Sequence, residues 1–439
     1  MKQHAADESP ATPATLTTPA TLAATAATAA TAATAATTMR RRRMSGRDIH
    51  EAHRVSTPLE LLFDLSFVVA IAAAASQLHH AVVEHHLAGG LLAYLFGFAA
   101  IWWAWLGFSW FSSAYDTDDA SYRLWTMVQI VGVLILAAGI PKNAQGDYLT
   151  GTIGYVVMRI GLLAMWLRAA REHPERRQTA IRYALGIGLL QLLWVARLLA
   201  PASWQPLCYA VLMPMELAVP YWATRVGFIP WHAHHIAERY GLFTIIVLGE
   251  CVLGASNAVA SVIEAQGWSF NVALIGFGSA SLVLALWWVY FLVPSAQALH
   301  QHRERAHSWG YGHFVVFGSL AALGAFLEVV ADQLKAHAAS AASASSHLVS
   351  PTLAIGLVAL SVGVYLLTVW WLYCQVARGQ ARLGWAWLTA AVILALVVAA
   401  VAAGLPLAWA IPAVTLAPAV IIIVVEIGWR KWPERYRIR

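Results

Sequence analysis

Apolar runs of about twenty residues recur along the whole chain, and short polar segments separate them. A helix needs about 20 apolar residues to cross the hydrocarbon core of a bilayer. Twelve runs meet this length, at 58–79, 88–112, 122–141, 149–168, 181–200, 204–224, 238–260, 269–293, 309–333, 349–373, 383–403 and 406–428. The pattern predicts an all-α polytopic membrane protein with about twelve transmembrane helices.

The composition excludes most soluble classes. Of the 439 residues, 60% are hydrophobic and only 11% are charged, which is more apolar surface than a soluble core can bury. The three cysteines, Cys208, Cys251 and Cys374, have no CxxC spacing, so the sequence predicts no disulfide framework, no metal site and no cofactor. The composition therefore indicates the lipid bilayer as a partner of this chain.

Two terminal segments differ from the apolar body. Residues 1–55 are an Ala/Thr-rich and Arg-rich segment with little bulky apolar content, for which we expect a disordered cytoplasmic tail. Residues 431–439 are a short basic segment that we also expect in the cytoplasm. Neither segment has the order of charges and apolar residues that a secretory signal requires.

Basic residues are distributed unevenly between the two sides of the predicted membrane. If the amino terminus is cytoplasmic, 24 of the 28 Lys and Arg residues fall on that side, among them Arg54 and Arg239. The other four are Lys142, Lys335 and Arg197 outside and Arg159 within the fourth span. The positive-inside rule then predicts an even number of spans, with both termini in the cytoplasm of a bacterial inner membrane. The net charge of +6 reflects this topology, and no basic patch indicates nucleic-acid binding.

Three similarities between the two parts of the chain predict an internal repeat. Glu60 aligns with Glu238, the Trp-rich segment 102–105 aligns with 287–290, and proline pairs six residues apart stand at 214/220 and 412/418. The repeat predicts two six-helix halves, 56–228 and 229–430. Because six is even, both halves enter the membrane from the same side, and such halves commonly enclose a central pathway.

Two carboxylates open the first span. Thr57 and Glu60 have the spacing of a capping box, and Pro58 occupies the first helical position. Glu60 is therefore interpreted partly as a helix cap, and Glu238 is its counterpart in the second half. Asp64 lies one turn further along the same helix face, where capping cannot explain it. Asp64 is the stronger functional candidate of this pair.

Three more charged residues fall inside predicted spans. Glu250 lies near mid-membrane, and Arg159 is a natural counter-ion for it. Such a pair equally fits a structural role in fixing helix register. Glu216 stands between Pro214 and Pro220, where an acid beside freed carbonyl groups suits a cation or a proton, although a neutral Glu in a kinked packing helix is the alternative. Acidic residues outnumber Arg159, so a pathway lined by them favours cations or protons.

Histidines cluster at two places. His79, His80, His85 and His86 form a short predicted outer loop with Glu84, whose spacing matches no known metal motif. We interpret it as a solvated loop rather than a metal site. Before the seventh span, His234 shares a helix face with Glu238, and a surface cluster is the expected arrangement there.

Two phrases carry a family resemblance. Residues 57–68 (TPLELLFDLSFV) and 238–250 (ERYGLFTIIVLGE) resemble the bacterial low temperature requirement A family, with Leu62 and Ser66 in place of the expected Phe and Val. The resemblance extends from about residue 50 to the carboxyl terminus. It implies a multi-spanning inner-membrane protein linked by name to growth in the cold, and it supplies no substrate.

The leading functional hypothesis is a transporter of a small solute or cation, coupled to protons or cations, with Asp64, Glu216 and Glu250 along its pathway. A cation channel is the alternative, because the phrase containing Asp64 also resembles the pore helices of potassium channels built from two six-helix repeats. A structural membrane protein is a third reading. A lipid-modifying enzyme ranks last, since the spans contain no histidine box, nucleophile triad or acidic metal motif.

Overall fold

The computed structural model describes residues 41–49, 51, 54–338, 349–376 and 384–431. This part of the chain contains thirteen α-helices, a few short 3₁₀ turns and no strand, which confirms the all-α class. The helices are α1 (Pro58–Val83), α2 (Leu87–Tyr115), α3 (Ala120–Ala144), α4 (Leu149–Glu172), α5 (Arg177–Ala196), α6 (Gln205–Thr224), α7 (Ala233–Gln266), α8 (Phe270–Phe291), α9 (Ser295–Gln301), α10 (Ala306–Ala338), α11 (Pro351–Val376), α12 (Gly384–Ala402) and α13 (Leu407–Lys431). Of the two predicted terminal tails, residues 1–40, 50, 52, 53 and 432–439 lie outside the described residues.

Eleven helical stretches in the described chain are long and apolar enough to cross a membrane. The protein is therefore a multi-pass membrane protein. The predicted sixth span, 204–224, is the 20-residue helix α6, but it is not among the eleven. It contains Glu216 and three prolines, two of them inside the helix. The twelve-span count thus stays a prediction that depends on α6.

Local signals set the helix starts as the sequence predicts. Thr57 Oγ1 accepts the backbone N–H of Glu60 at 3.2 Å, and Glu60 Oε2 accepts the N–H of Thr57 at 2.8 Å. The capping-box interpretation of Glu60 is confirmed. Asp119 caps α3 in a similar way, accepting the N–H of Tyr122 at 2.9 Å. Helices α7 and α10 are longer than their predicted spans, because polar turns extend them at both ends.

Glycines allow α3 and α4 to pack closely. A Cβ atom on Gly154 would lie 2.3 Å from the backbone nitrogen of Leu136, and one on Gly139 would lie 2.4 Å from that of Gly151. Small residues of this kind let membrane helices approach closely enough for backbone contact. This contact fixes the position of Arg159, which lies one turn beyond Gly154 on α4.

The helices pack as two groups. In the first, α1 packs on α2 and α3, and α4, α5 and α6 follow in sequence; in the second, α7 packs on α8 and α10, and α11, α12 and α13 follow. The groups meet where α1 and α2 contact α7 and α10. We call the end of the bundle that holds residues 41–49 and 54–57 the terminal face. The opposite face holds the loop 84–86.

Candidate functional site

Two buried polar clusters occupy the interior near α2. The first, which we call the Asp64 cluster, consists of Glu60, Asp64, Trp105, His235 and Arg239. The side chains of Glu60, Asp64, His235 and Arg239 are all 0% exposed. It joins the two helix groups, because α1 and α2 supply the first three residues and α7 supplies the other two.

The guanidinium of Arg239 binds both carboxylates of α1. Its Nε donates to Asp64 Oδ2 at 3.1 Å and its Nη2 donates to Asp64 Oδ1, so the contact is bidentate. Nη1 lies 3.2 Å from Glu60 Oε1. Trp105 Nε1 donates to Asp64 Oδ1 at 2.7 Å, and His235 Nε2 lies 3.1 Å from Glu60 Oε2. Two acids, one arginine and one histidine thus contact each other without access to water.

Arg54 and Asp116 lie next to this cluster at the terminal face, outside the spans. Arg54 donates to the carbonyls of Ser112 and Ser113, which end α2. Burial raises the pKa of Asp116 to about 6, and the charge of Glu60 adds to the rise while Arg54 opposes it. This side of the cluster therefore contains a carboxyl group whose pKa lies well above its usual range.

The second cluster, which we call the Glu216 cluster, surrounds a carboxylate on α6 that is 1% exposed. Trp103 Nε1 donates to Glu216 Oε2 at 2.8 Å. The other oxygen, Oε1, accepts from Gln191 Nε2 at 3.1 Å, from Trp194 Nε1 at 3.1 Å and from the Tyr155 hydroxyl at 3.2 Å. Four donors from α2, α4 and α5 thus hold one carboxylate.

Arg159 supplies the counter-charge of the Glu216 cluster. Its Nη2 lies 3.6 Å from Glu216 Oε2 and donates to the Tyr155 hydroxyl at 2.7 Å, and the side chain is 2% exposed. The expected pairing of Arg159 with Glu250 is therefore wrong. Helix α4 presents Arg159 toward α6, whereas Glu250 lies on α7 and packs its backbone against Gly324 of α10.

Cavities approach the Glu216 cluster from both faces of the bundle. On the terminal side, a cavity of about 60 Å³ is lined by Arg159, Glu216 and the rings of α2, α4, α5 and α10; we call it the Glu216 cavity. On the opposite side, a vestibule of about 860 Å³ lies between the ends of α1, α2 and α3 and the start of α6. Tyr148, Arg197, Gln205 and Tyr209 are among its lining residues.

Comparison with known proteins fits this architecture. A model of the bacterial low temperature requirement A protein (LtrA) family matches residues 55–425, which is most of the chain. The chain belongs to the LtrA family. It is also similar to an uncharacterized protein of Rhizobium meliloti (strain 1021), with 26% identity over 277 residues. That match covers 60% of this chain and 66% of the relative, just under two thirds of its length.

Both clusters lie inside the region that the LtrA model matches. The predicted site residues do not converge on one cavity of the described chain. Glu216 and Arg159 line the Glu216 cavity, whereas Asp64 and Glu250 line neither cavity. Glu250 is 8% exposed between α7 and α10. Glu238 is half-buried and accepts the backbone N–H of Ser56 at 3.4 Å, so it holds the segment before α1.

Sequence reasoning missed the partners of the acids. From the sequence alone, Arg239 counts only among the basic residues that indicate the membrane topology. Its spacing of four from His235 nevertheless places both residues on one face of α7. His235, rather than His234, makes the buried contact with a carboxylate, and His234 is exposed. At the other face, His79 Nε2 lies 2.7 Å from Asp332 Oδ2. The described residues contain no group of three potential metal ligands.

Proposed function

We propose that this LtrA protein is a secondary transporter of a small solute, and that its pathway runs through the first helix group past Glu216. The observation that carries the proposal is the position of Glu216 between two cavities that approach from opposite faces. A buried charge at this depth is costly, and in transporters such charges commonly mark the pathway. The pathway thus lies within one group and not between the two.

Aromatic rings form the barrier between the vestibule and Glu216. Trp194 packs edge-to-face on Tyr155 at 5.8 Å and on Tyr209 at 4.8 Å between ring centroids. Tyr209 lines the vestibule and precedes Glu216 by about two turns of α6, roughly 10 Å along the helix axis. Pro214 lies between them and removes one backbone hydrogen bond of the helix. Bending at this point is a direct way to open the barrier.

The second helix group supports the proposal by contrast. There α8 packs directly on α13: a Cβ on Gly278 would lie 2.8 Å from Pro412, and Thr415 Oγ1 donates to the Gly278 carbonyl at 3.3 Å. In the proposed six-plus-six repeat, α2 and α6 are the equivalent helices. The Glu216 cavity is lined by both of these helices in the first group.

The Glu216 cluster suits coupling to protons. Glu216 accepts four hydrogen bonds, an arrangement that suits a carboxylate with its lone pairs free, and the guanidinium of Arg159 lies beside it. Protonation would remove the charge that holds Arg159 and would turn one acceptor into a donor. We propose that this change releases the aromatic barrier. The Asp64 cluster then ties the first group to α7 while the barrier moves.

The uneven distribution of basic residues supports a cytoplasmic terminal face in a bacterial inner membrane. The vestibule would then open to the outside. Flux into proteoliposomes tests the function: a saturable flux that responds to a proton gradient supports a transporter. Non-saturating single-channel currents would instead assign a channel, and a chain that moves no solute would refute both. Growth of a deletion strain at low temperature tests the link that the family name implies.

A further inference from the structure

Arg197 is a buried cation without a counter-ion in the part of the chain that the structure describes. The side chain follows α5 and is only 6% exposed, and its Nε and Nη1 atoms have no hydrogen-bond partner. Its Nη2 donates only to the neutral hydroxyl of Thr152, at 3.2 Å. Within the described residues, the buried side chains of Arg159, Arg168 and Arg239 each lie within 4.0 Å of a carboxylate, and buried Arg54 donates to two backbone carbonyls. The Arg197 side chain binds neither a carboxylate nor a carbonyl of these residues.

Aromatic rings surround this guanidinium where it meets the vestibule. The rings of Tyr148, Trp194 and Tyr209 lie 5.0, 5.2 and 5.1 Å from its Cζ atom. Cation–π contacts recover part of the lost hydration, but a buried cation still favours an anion at its open donors. Beside it, the Oε1 atom of Gln205 is also buried without a partner. We call this end of the vestibule, formed by Arg197 and Gln205, its floor. Some of its polar atoms therefore lack hydrogen-bond partners.

We propose that the floor of the vestibule binds the carboxylate of a small organic acid, with Arg197 as the anchor. The vestibule has the volume of a small-molecule site, and rings and aliphatic side chains of α2, α3 and α6 line it beside amide groups. Arg197 is the one Arg or Lys among the lining residues, and the carboxylate of Glu84 also lines the vestibule, so its charge suits a monoanion better than a doubly charged phosphate. The acid would therefore carry one carboxylate on an apolar body.

The role of this acid as the transported solute rests on the proposed function, but its binding does not. Trp194 connects the two sites, because its ring contacts Arg197 and its Nε1 donates to Glu216. An acid bound at Arg197 thus lies one ring away from the Glu216 cluster. This places substrate recognition and the proposed barrier in direct contact.

Calorimetric titration of the full chain in a non-ionic detergent tests the site with 3-phenylpropanoate as the probe. The parent should bind it, and the uncharged 3-phenylpropanamide should not bind. Arg197→Gln should weaken binding at least about tenfold, the scale of one lost charge-assisted contact. It should not lower the melting temperature, since it removes an unpaired buried charge. Arg182→Gln, which alters an arginine stacked on Trp222 away from the vestibule, is the matched control.

A second variant keeps the test decisive if Arg197→Gln does not fold. Thr152→Asp places a carboxylate at the Nη2 contact and should block the probe, whereas Thr150→Asp, two residues away, should not. Equal binding by the parent and Arg197→Gln, or no binding by the parent, overturns the proposal. If the parent binds laurate below its critical micelle concentration but does not bind 3-phenylpropanoate, the site takes a lipid-borne carboxylate. The proposal of a small organic acid would then be wrong. Binding without flux in proteoliposomes would refute only the transport function.

Discussion

Trp103 and Trp105 lie two residues apart on α2 and donate their indole N–H groups to two different buried carboxylates. Trp103 binds Glu216 on α6 at 2.8 Å, and Trp105 binds Asp64 on α1 at 2.7 Å. Residues two apart point to nearly opposite sides of a helix. Helix α2 is therefore the element that connects the Asp64 cluster with the Glu216 cluster, and a rotation of α2 would change both.

The bond from Trp105 to Asp64 gives the first prediction. Trp105→Phe keeps a ring against Phe243 but removes a hydrogen bond to a charged group, which should lower the free energy of unfolding by about 1.5–3 kcal/mol. Trp102→Phe is the matched control, because the Trp102 N–H is buried without a partner. Thermal unfolding in detergent measures both. Equal destabilisation by the two variants would contradict the assigned role of the Asp64 bond.

Arg239 gives the second prediction. Arg239→Met leaves Glu60 and Asp64 buried without their cation, and breaking a buried pair in this way costs about 3–5 kcal/mol. Adding Glu60→Gln and Asp64→Asn removes the stranded charges and should recover more than half of the loss. If the triple variant is less stable than Arg239→Met alone, the loss in Arg239→Met does not come from the unpaired charges of Glu60 and Asp64.

Asp116 predicts a pH dependence of stability. Burial raises its pKa from 3.8 to about 6, so the folded protein keeps this proton between these values while the unfolded chain releases it. The contribution of Asp116 to the free energy of unfolding therefore falls as pH rises from about 4 to about 6, and above that pH it no longer changes. Asp116→Asn cannot ionise and should be more stable than the parent by roughly 1–3 kcal/mol at pH 7.5, with no gain near pH 4. Unfolding at the two pH values measures this, and an equal difference at both would exclude the assigned titration.

Two glycine substitutions should have opposite effects on stability, because only one of the two glycines lies in the contact between α3 and α4. Gly154→Ala would place a methyl group 2.3 Å from the backbone of Leu136 and should destabilise the fold by about 1–3 kcal/mol. Gly249→Ala is a control within α7, where nothing lies within 4 Å, and it should stabilise by a few tenths to about 1 kcal/mol. Melting temperatures that rise in both variants would rule out the close α3–α4 contact.

Local features of this fold are predictable from the sequence. The apolar runs predict the helices, and the Thr57 capping box predicts the start of α1, because both signals lie within a few adjacent residues. The two family phrases also meet in space, since Glu60 and Asp64 of the first phrase contact Arg239 of the second. Span 204–224 shows the limit: the helix that carries Glu216 is not among the eleven stretches of the described chain that are apolar enough to cross a membrane.

The pairing of charges was not predictable. Helices that are apolar on every side give no signal of which face is buried, so nothing in the sequence distinguishes Glu216 from Glu250 as the partner of Arg159. Arg197 illustrates the same problem, because its position near a span end is typical of a topology charge. The packing of α4, α5 and α6 brings three aromatic rings around Arg197 and no carboxylate, and the sequence carries no signal of that arrangement.

The most direct test of the central claim is the accessibility of Val219, which lines the Glu216 cavity from α6. In a chain with Cys208, Cys251 and Cys374 replaced by Ser, Val219→Cys is treated with a membrane-impermeant thiol reagent, in right-side-out and inverted vesicles. Val247→Cys, fully buried on α7, is the control. A protein that alternates its opening past Glu216 should react at position 219 from both faces and at position 247 from neither. Reaction at position 219 from only one face, under every condition, would contradict a pathway through the first helix group.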